Sequence, residues 1–427
     1  MRRSGSRHAV AAIAAALLWI SCAEEGDNDV GTPRTLVIWD FGGVPGHEAW
    51  IRGAVDSLDA ARDDLHIKLE TRDWATQRES LISSTVVGEG ADIVRVHHKY
   101  AVEFGELGGL LALDNFADFP QVRSKLLDNL WDHVAYDGQH YGVPVSMLPF
   151  IMPVNRHMLQ AHGLDVPATW EDMWDMGPAL KASGIHTLTM PAGLNLDTAY
   201  RFLALFYRAG GRLFNDDWTA AAFNGPAGLG TLKFLIRMKD AGFFPAASTA
   251  YRSDENEAHW STEKAALAIE GPWWQSVAAD HFGFDLAKLQ LAQVPRPQRL
   301  LEDNESKTLI DVVMVAITGY TKAPDAAWEV VKALAVEDPV WHRPDPSMGG
   351  MSTHKVAYGP GVASDYMDLP VLAEAGANGL GWPGHPAITE IQRHLADAVN
   401  MALTGTMDPQ QALDHAAAEV NEILADY

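Results

Sequence analysis

The chain has 427 residues and carries 56 acidic against 32 basic side chains. Such an acid excess argues against nucleic acids and anionic membrane surfaces as partners, because both are negatively charged. A chain of this length can bury a hydrophobic core without disulfide bonds, and the length predicts two domains.

The first 22 residues predict an export signal. Three arginines among residues 1–7 precede an uncharged apolar run over residues 9–20. That run is shorter than the roughly 20 residues that a bilayer-spanning helix needs. A basic start followed by a short apolar run is typical of a secretory signal that is removed from the mature chain.

Cys22 follows this run directly and is the only cysteine in the chain. With Ser21 before it, the site resembles a bacterial lipobox, so we predict that Cys22 carries lipid. Trp19 departs from that motif, which usually has leucine there, and the alternative is an unmodified cysteine at the signal junction. Residues 23–33 are polar and aperiodic, which predicts a flexible tether.

The next part of the chain alternates two hydrophobic periodicities. Residues 36–39, 65–70 and 91–96 have the composition of strands, whereas residues 50–58 and 77–87 have apolar residues at helical spacing. This alternation predicts an α/β domain with a largely parallel sheet.

The rest of the chain is predicted to be mainly helical. Thr169 followed by Asp172 is a helix-start signature, and Asp408-Pro409 is another. A strand is predicted at residues 309–317. Further helices are predicted at residues 198–210, 226–242, 325–336, 388–403 and from 409 onward.

Seven motifs in chain order resemble one protein family. One of them, KAALAIEGPWW at Lys264–Trp274, resembles the pattern G-K-A-A-M-x-x-x-G-x-W. The others lie at Gly90–Val94, Gly108–Asp114, Asp137–Pro144, Val154–Asp172, Ala326–Glu329 and Gly405–Leu413. In this order and spacing they resemble family 1 of the extracellular solute-binding proteins, the maltose- and trehalose-binding type.

The resemblance implies an α/β fold of the periplasmic-binding-protein-like type II class, with two lobes that close on a ligand. The expected N-terminal lobe is 34–143 plus 291–340, and the C-terminal lobe is 144–290 plus 341–427. Such a protein would be the extracytoplasmic substrate-binding component of an ABC importer. It would be a lipid-anchored monomer that captures a sugar for permease subunits, with no catalysis and no cofactor.

A sugar ligand makes two physical demands. Its C–H faces stack on aromatic rings, and its hydroxyls need paired donors and acceptors. By their position in the resemblance and by residue type, the candidate ligand contacts are Asp40, Phe41, His47, Glu48, Arg78, His97, Trp273, Trp274, Asp311, Gly350, Trp382 and His385. The competing interpretation is structural: rings in the core, a helix-start acid at Glu48 and a solvated arginine at Arg78.

Two features leave the solute open. Residues 146–149 lack the tyrosine and the acid that disaccharide-binding relatives place there, so no particular sugar is favoured. A polyol, polyamine or peptide remains an alternative, and a carbohydrate-acting enzyme a weaker one, since no nucleophile, zinc or phosphate-loop motif is present. His97 and His98 are adjacent on a predicted strand and would face opposite sides, so no metal site is expected.

Overall fold

The computed structural model describes residues 34–301 and 307–427. The predicted export signal, Cys22 and the tether lie outside the described residues. Within the described ranges, no helix is both long and apolar enough to cross a membrane.

The described elements agree closely with the predicted ones along most of the chain. The strands are β1 (Arg34–Phe41), β2 (Leu65–Arg72), β3 (Ile93–His97), β4 (Ala135–Tyr136), β5 (Gln139–His140), β6 (Val143–Pro149), β7 (Met152–Asn155), β8 (His186–Thr189), β9 (Ala265–Ala268), β10 (Leu289–Ala292), β11 (Ile310–Ile317) and β12 (Met351–Ser352). The helices are α1 (Pro45–Ala60), α2 (Gln77–Val87), α3 (Tyr100–Glu106), α4 (Phe119–Lys125), α5 (Arg156–Ala161), α6 (Trp170–Asp175), α7 (Gly177–Ala182), α8 (Leu196–Arg208), α9 (Pro226–Asp240), α10 (Ser253–Ser261), α11 (Trp274–Asp280), α12 (Pro324–Lys332), α13 (Leu369–Asn378), α14 (Ile388–Thr404) and α15 (Pro409–Ala425).

The larger sheet has six strands in the order β12-β6-β11-β3-β1-β2. The three strands predicted first, β1, β2 and β3, are parallel, but β11, β6 and β12 pair antiparallel. The sheet is therefore mixed rather than largely parallel. The reason is topological: β11 returns from the other sheet and enters against the direction of β3.

The smaller sheet has four strands in the order β10-β7-β9-β8, of which only β8 and β9 are parallel. Helices α8, α9, α14 and α15 pack together into its core, where Phe202, Phe206 and Leu395 are fully buried. A second core covers the six-stranded sheet and contains Leu36, Val96 and Trp131. The molecule thus has two lobes, each named below by its sheet.

Three crossing segments join the lobes and are hydrogen-bonded to one another. Phe150 and Ile151 lie between β6 and β7, and the Phe150 amide donates to Leu309 O at 2.8 Å. Leu380 pairs with Leu309, and its amide donates to Thr308 O at 2.8 Å. The predicted lobe boundary at residue 144 falls inside β6, whose whole length pairs within the six-stranded sheet.

Candidate ligand-binding site

Tyr200 lies at the centre of an aromatic group between the two lobes. It is on α8 of the four-stranded lobe and its ring stacks on Phe150 of the first crossing, with centroids 5.8 Å apart. Trp382 meets the ring edge-on at 5.3 Å, and His97 of the six-stranded lobe lies 6.1 Å away. Burial raises the pKa of Tyr200 well above its usual value, so the phenol keeps its proton.

Trp273 forms the partly exposed edge of this group. Its ring meets Phe150 edge-on at 5.7 Å and packs against the hydrophobic cores of both lobes. The residue before Pro272 must be glycine, because a Cβ at Gly271 would lie 1.8 Å from Trp273 Cζ3. The Gly-Pro-Trp sequence thus turns this ring out of the core and places it between the lobes.

Trp274 has a different environment from its neighbour. It begins α11, is 0% exposed, and meets Trp260 edge-on at 5.4 Å. A ring enclosed in this way has no face left for a ligand. We therefore assign Trp274 to the core, as the structural interpretation expected.

Asp311 is the buried carboxylate of the region. Its Oδ2 lies 2.7 Å from His97 Nδ1 and its Oδ1 lies 2.8 Å from His98 Nδ1. Burial raises the pKa of Asp311, but the two imidazoles outweigh burial and hold it well below the usual value. The carboxylate is therefore ionised and already paired within the protein, and His97 is the member of the pair that faces Tyr200.

Two polar contacts join the lobes beside the aromatic group. Lys99 Nζ, next to β3, donates to Gln392 Oε1 on α14 at 2.7 Å, and both side chains are buried. Glu103 on α3 accepts from Thr389 Oγ1 at 3.3 Å. Burial lowers the pKa of Lys99 to about 8.

Arg78 stabilises the contact between Glu103 and Thr389, and its side chain does not extend into solvent. It pairs with Glu103, with its Nε 2.7 Å from Oε1. Because Glu103 also accepts a hydrogen bond from the four-stranded lobe, its ion pair with Arg78 stabilises the interlobe contact.

Trp74 is an aromatic residue that extends the site on the six-stranded lobe. It follows β2, is partly exposed, and meets His97 edge-on at 4.7 Å. Phe41, 1% exposed at the end of β1, packs beneath it at 6.3 Å. Phe41 thus supports Trp74 and does not itself face the space between the lobes.

Asp40 and His47 lie inside the six-stranded lobe and not between the lobes. His47 Nε2 is 3.0 Å from Asp40 Oδ1, and Arg95 Nη1 lies 3.4 Å from the same oxygen. They line a cavity of about 20 Å³, large enough for one water, between the sheet and α1. Burial opposes the charge on Asp40, yet Arg95 and His47 keep the pKa of Asp40 below normal.

Three further candidates have structural partners. Glu48 Oε1 accepts from the Gly43 amide at 2.7 Å, so it holds the loop after β1 while remaining partly exposed. Gly350 packs on β6, where a Cβ would lie 2.1 Å from Ser146 Oγ. His385 meets Tyr427 edge-on at 4.9 Å, at the C-terminus of the chain.

Several residues of the site were not among the candidates. They are Trp74, Lys99, Phe150, Tyr200 and Gln392, together with Arg201, whose Cζ lies 5.7 Å from the Trp273 ring centroid, and its buried partner Glu270. One signal was available, because Arg201 interrupts the apolar run of α8 and Glu270 ends the run of β9, and a charge in such a run is costly unless it is paired. Nothing comparable marks Tyr200 or Gln392.

The arrangement offers aromatic faces and polar atoms that are still available. Trp382 Nε1 and His98 Nε2 are buried and have no hydrogen-bond partner within the described residues. Buried polar groups of this kind are costly unless something satisfies them. Across the same ranges, no cluster of three or more histidine, cysteine or acidic side chains is placed to hold a metal ion.

Two lobes joined by three crossings, with a ring-lined site at the crossings, define the periplasmic-binding-protein-like class of fold. The family model described as bacterial extracellular solute-binding protein matches residues 49–339. The chain belongs to this family.

Solved structures share the fold of this chain, and a curated relative is similar to it in sequence. A solute-binding protein of Thermotoga lettingae TMO, bound with α-D-tagatose, is 23% identical with a TM-score of 0.79, covering 92% of this chain and 100% of that one. The GacH receptor of Streptomyces glaucescens, solved unliganded and with acarbose, is 17% identical with a TM-score of 0.81, covering 93% and 100%. A protein of Sinorhizobium fredii named "probable amino-acid ABC transporter periplasmic-binding protein" is 24% identical over 286 residues, 63% of this chain and 61% of the relative.

Proposed function

We propose that this protein captures a sugar or a related polyhydroxylated solute between its two lobes and delivers it to an ABC importer. The observation that carries the proposal is Trp273, a partly exposed ring that contacts the cores of both lobes. A ring in that position covers one side of a ligand that binds between the lobes, while the cores of both lobes support the ring.

The chemistry of the neighbouring groups favours a neutral solute. Trp74 and Trp273 are partly exposed and supply faces on which sugar C–H groups stack. Trp382 Nε1 supplies a hydrogen-bond donor that has no partner within the described residues. Lys99 faces the negative charges of Asp311, Glu103 and Asp197. Arg78 pairs with Glu103 and Arg201 pairs with Asp197, so these three acids are matched by three cations and need no charged ligand.

Of the predicted contacts, we retain Trp273, Trp382, His97, Asp311 and Glu48 as ligand-contact or contact-supporting residues, and add Trp74 and Tyr200. Three further predicted residues support these contacts without facing the space between the lobes: Arg78, Phe41 and Gly350. The remaining predicted residues have structural roles inside the lobes or at the C-terminus: Asp40, His47, Trp274 and His385.

We also propose that the lobes move about the three crossings. The moving bodies are the six-stranded lobe, with β6 and β12 included, and the four-stranded lobe, with α14 and α15. Hinges of this kind absorb closure in a few backbone residues. Phe150, Leu309 and Leu380 occupy those positions here.

The remaining parts of the proposal concern the cell. The mature chain is exported, lipid-anchored through Cys22 and monomeric. It passes the solute to permease subunits without changing the solute chemically. Replacing Cys22 with serine is expected to release the protein from the membrane fraction, and unchanged membrane retention would contradict the anchor.

A second class of solute has one observation in its favour. The Sinorhizobium fredii relative is named for amino acids, and a polyol, polyamine or peptide suits the same aromatic site. In each case the fold and the closing movement are the same, and only the ligand differs.

A thermal-shift screen tests the proposal. The panel contains D-tagatose and other monosaccharides. It also contains maltose, trehalose, acarbose, polyols, polyamines, amino acids and short peptides. A solute present at 100 times its dissociation constant adds about 2.7 kcal/mol of stability. A sugar or polyol is expected to give the largest shift; a shift with amino acids alone would replace the solute class, and no shift with any member would contradict the proposal.

A further inference from the structure

The dipeptide Asn-Gly occurs twice in the chain, at Asn224-Gly225 and at Asn378-Gly379. Asparagine is a thermolabile residue, because the next main-chain nitrogen can attack its side-chain amide. A glycine in the next position offers no side chain that hinders this attack, and it leaves the backbone free to bend. The contacts of each dipeptide therefore decide whether it reacts.

Asn224-Gly225 is held by other parts of the four-stranded lobe. Asn224 Nδ2 donates to Asp414 Oδ1 at 2.8 Å, and Gln410 Nε2 donates to Asn224 O at 3.0 Å. The Gly225 amide donates to Ala222 O at 3.3 Å. Both groups that would have to meet are thus hydrogen-bonded elsewhere.

Asn378-Gly379 lies at the end of α13 and is held less firmly. Asn378 is the last residue of the helix and is exposed. Its Nδ2 donates to Glu374 O of the same helix at 3.2 Å, whereas the Gly379 amide has no acceptor within the described residues. Because the last turn of a helix frays, this dipeptide is free to bend.

We propose that Asn378 is a site of spontaneous deamidation, a covalent modification that needs no enzyme. The Gly379 amide loses its proton to hydroxide, its nitrogen bonds to Asn378 Cγ, and the side-chain nitrogen takes a proton from water and leaves as ammonia. Water then opens the five-membered imide. Opening at Cγ gives aspartate, and opening at the main-chain carbonyl carbon gives isoaspartate, in which the main chain runs through Cβ and Cγ.

The modified residue directly precedes one of the three crossings between the lobes. A Cβ at Gly379 would lie 1.9 Å from Ile310 Cγ2, so the crossing has no spare room on that side. The Leu380 amide donates to Thr308 O at 2.8 Å, and the Ile310 amide donates to Leu380 O at 2.9 Å. Isoaspartate adds one methylene to the main chain just before these contacts and moves them out of register. Neither the modification nor this displacement depends on the proposed function.

The first experiment follows the modification itself. The purified protein is incubated at pH 8 and 37 °C, and the peptides that contain Asn224 and Asn378 are compared by mass spectrometry. We expect Asn378 to deamidate about tenfold faster than Asn224, whose dipeptide must first break three hydrogen bonds. The reaction is expected to be slower at pH 6, where hydroxide is scarcer, and absent in Asn378→Gln, which would have to form a less favourable six-membered ring. An Asn378 that stays intact, or that reacts no faster than Asn224, would overturn the proposal.

The second experiment tests the crossing and needs no solute. The deamidated protein gains a negative charge, so ion-exchange chromatography isolates it, and electron-transfer fragmentation identifies its isoaspartate. Asn378→Asp is the matched variant, because it has the same charge without the extra methylene. We expect hydrogen exchange at the Ile310 and Leu380 amides to be about tenfold faster in the isoaspartate form than in the unmodified protein, and unchanged in Asn378→Asp. Equal exchange in the isoaspartate form and in Asn378→Asp would overturn the effect on the crossing.

Discussion

Lys99 Nζ and Gln392 Oε1 lie 2.7 Å apart and join the two lobes through a buried hydrogen bond. Gln392 is held in turn, because its Nε2 donates to Leu196 O at 3.2 Å. Lys99 also lies 5.3 Å from the centroid of the Tyr200 ring. The interlobe contact and the aromatic site therefore share one lysine, so the lobe movement that we propose changes the surroundings of the Tyr200 ring.

Replacing Gln392 with alanine removes the hydrogen-bond acceptor of a buried ammonium. We expect the free energy of unfolding to fall by about 1–3 kcal/mol, the cost of leaving a buried polar group unsatisfied. Urea unfolding measures the change, and small-angle scattering is expected to show a larger radius of gyration. Gln392→Glu keeps the acceptor for Lys99 but loses the Nε2 donor to Leu196 O, so it separates the two contacts of Gln392. A Gln392→Ala protein as stable and as compact as the wild type would contradict the role of this contact.

Trp273 and Trp274 are adjacent in sequence and differ in environment, which gives a paired prediction. Trp274→Ala leaves a cavity in a closed core and is expected to cost about 3–5 kcal/mol in urea unfolding. Trp273→Ala is expected to cost less, because its ring is partly exposed, and to abolish binding of the solute that the screen identifies. The reverse pattern, with Trp274 needed for binding and Trp273 only for stability, would show that the site is assigned to the wrong ring.

Asp40→Asn tests the charged cluster inside the six-stranded lobe. The change removes a buried negative charge beside Arg95, and we expect a loss of about 3 kcal/mol in urea unfolding with solute affinity retained. Asp64→Asn is the control, because it breaks an exposed pair with Arg62 and is expected to leave stability almost unchanged. Loss of solute binding in a folded Asp40→Asn protein would place Asp40 in the ligand site after all.

Buried histidines predict how stability depends on pH. Burial lowers the pKa of His133 to about 4 and also lowers the pKa values of His47, His97 and His354. These groups are neutral in the folded protein near pH 6, while the unfolded chain protonates them below about pH 6.5. The unfolded state then binds more protons, so the free energy of unfolding falls as the pH drops from 6.5.

His133→Gln isolates one part of this effect. Between pH 7.5 and pH 5 we expect the variant to lose less stability than the wild type by about 1–2 kcal/mol, measured by urea unfolding at both pH values. The exposed His415 supplies the control, because His415→Gln removes a histidine that is not buried. Equal acid sensitivity in wild type and His133→Gln would mean that this imidazole does not resist protonation in the fold.

The element boundaries were predictable where local signals mark them. Helix α2 occupies the predicted residues 77–87 because Gly88, with a φ of 73°, ends it in the left-handed conformation. Strand β11 begins one residue after its predicted start. The mixed sheet was not predictable in this way, since the direction of β11 depends on which lobe the chain returns from.

The site was predictable by residue type more than by position. Trp273 stays a predicted contact. Two consecutive tryptophans are indistinguishable in sequence, and only the Gly271-Pro272 turn and the start of α11 give the two rings different environments. Asp40 lies at the end of β1 and His47 in the first turn of α1, near a strand end where ligand contacts often occur, but both side chains line the small cavity between the sheet and α1. Tyr200 and Gln392 come from helices distant in sequence, and only the packing of α8 against α14 brings them together.

The measurement that tests the central claim most directly is isothermal titration calorimetry of the mature protein with the best solute from the screen, followed by chromatography of that solute. The account predicts saturable heat at one solute per chain, no heat with Trp273→Ala, and recovery of the solute unchanged. Absence of heat with every sugar and polyol that shifts the melting temperature, or conversion of the solute into a product, would contradict it.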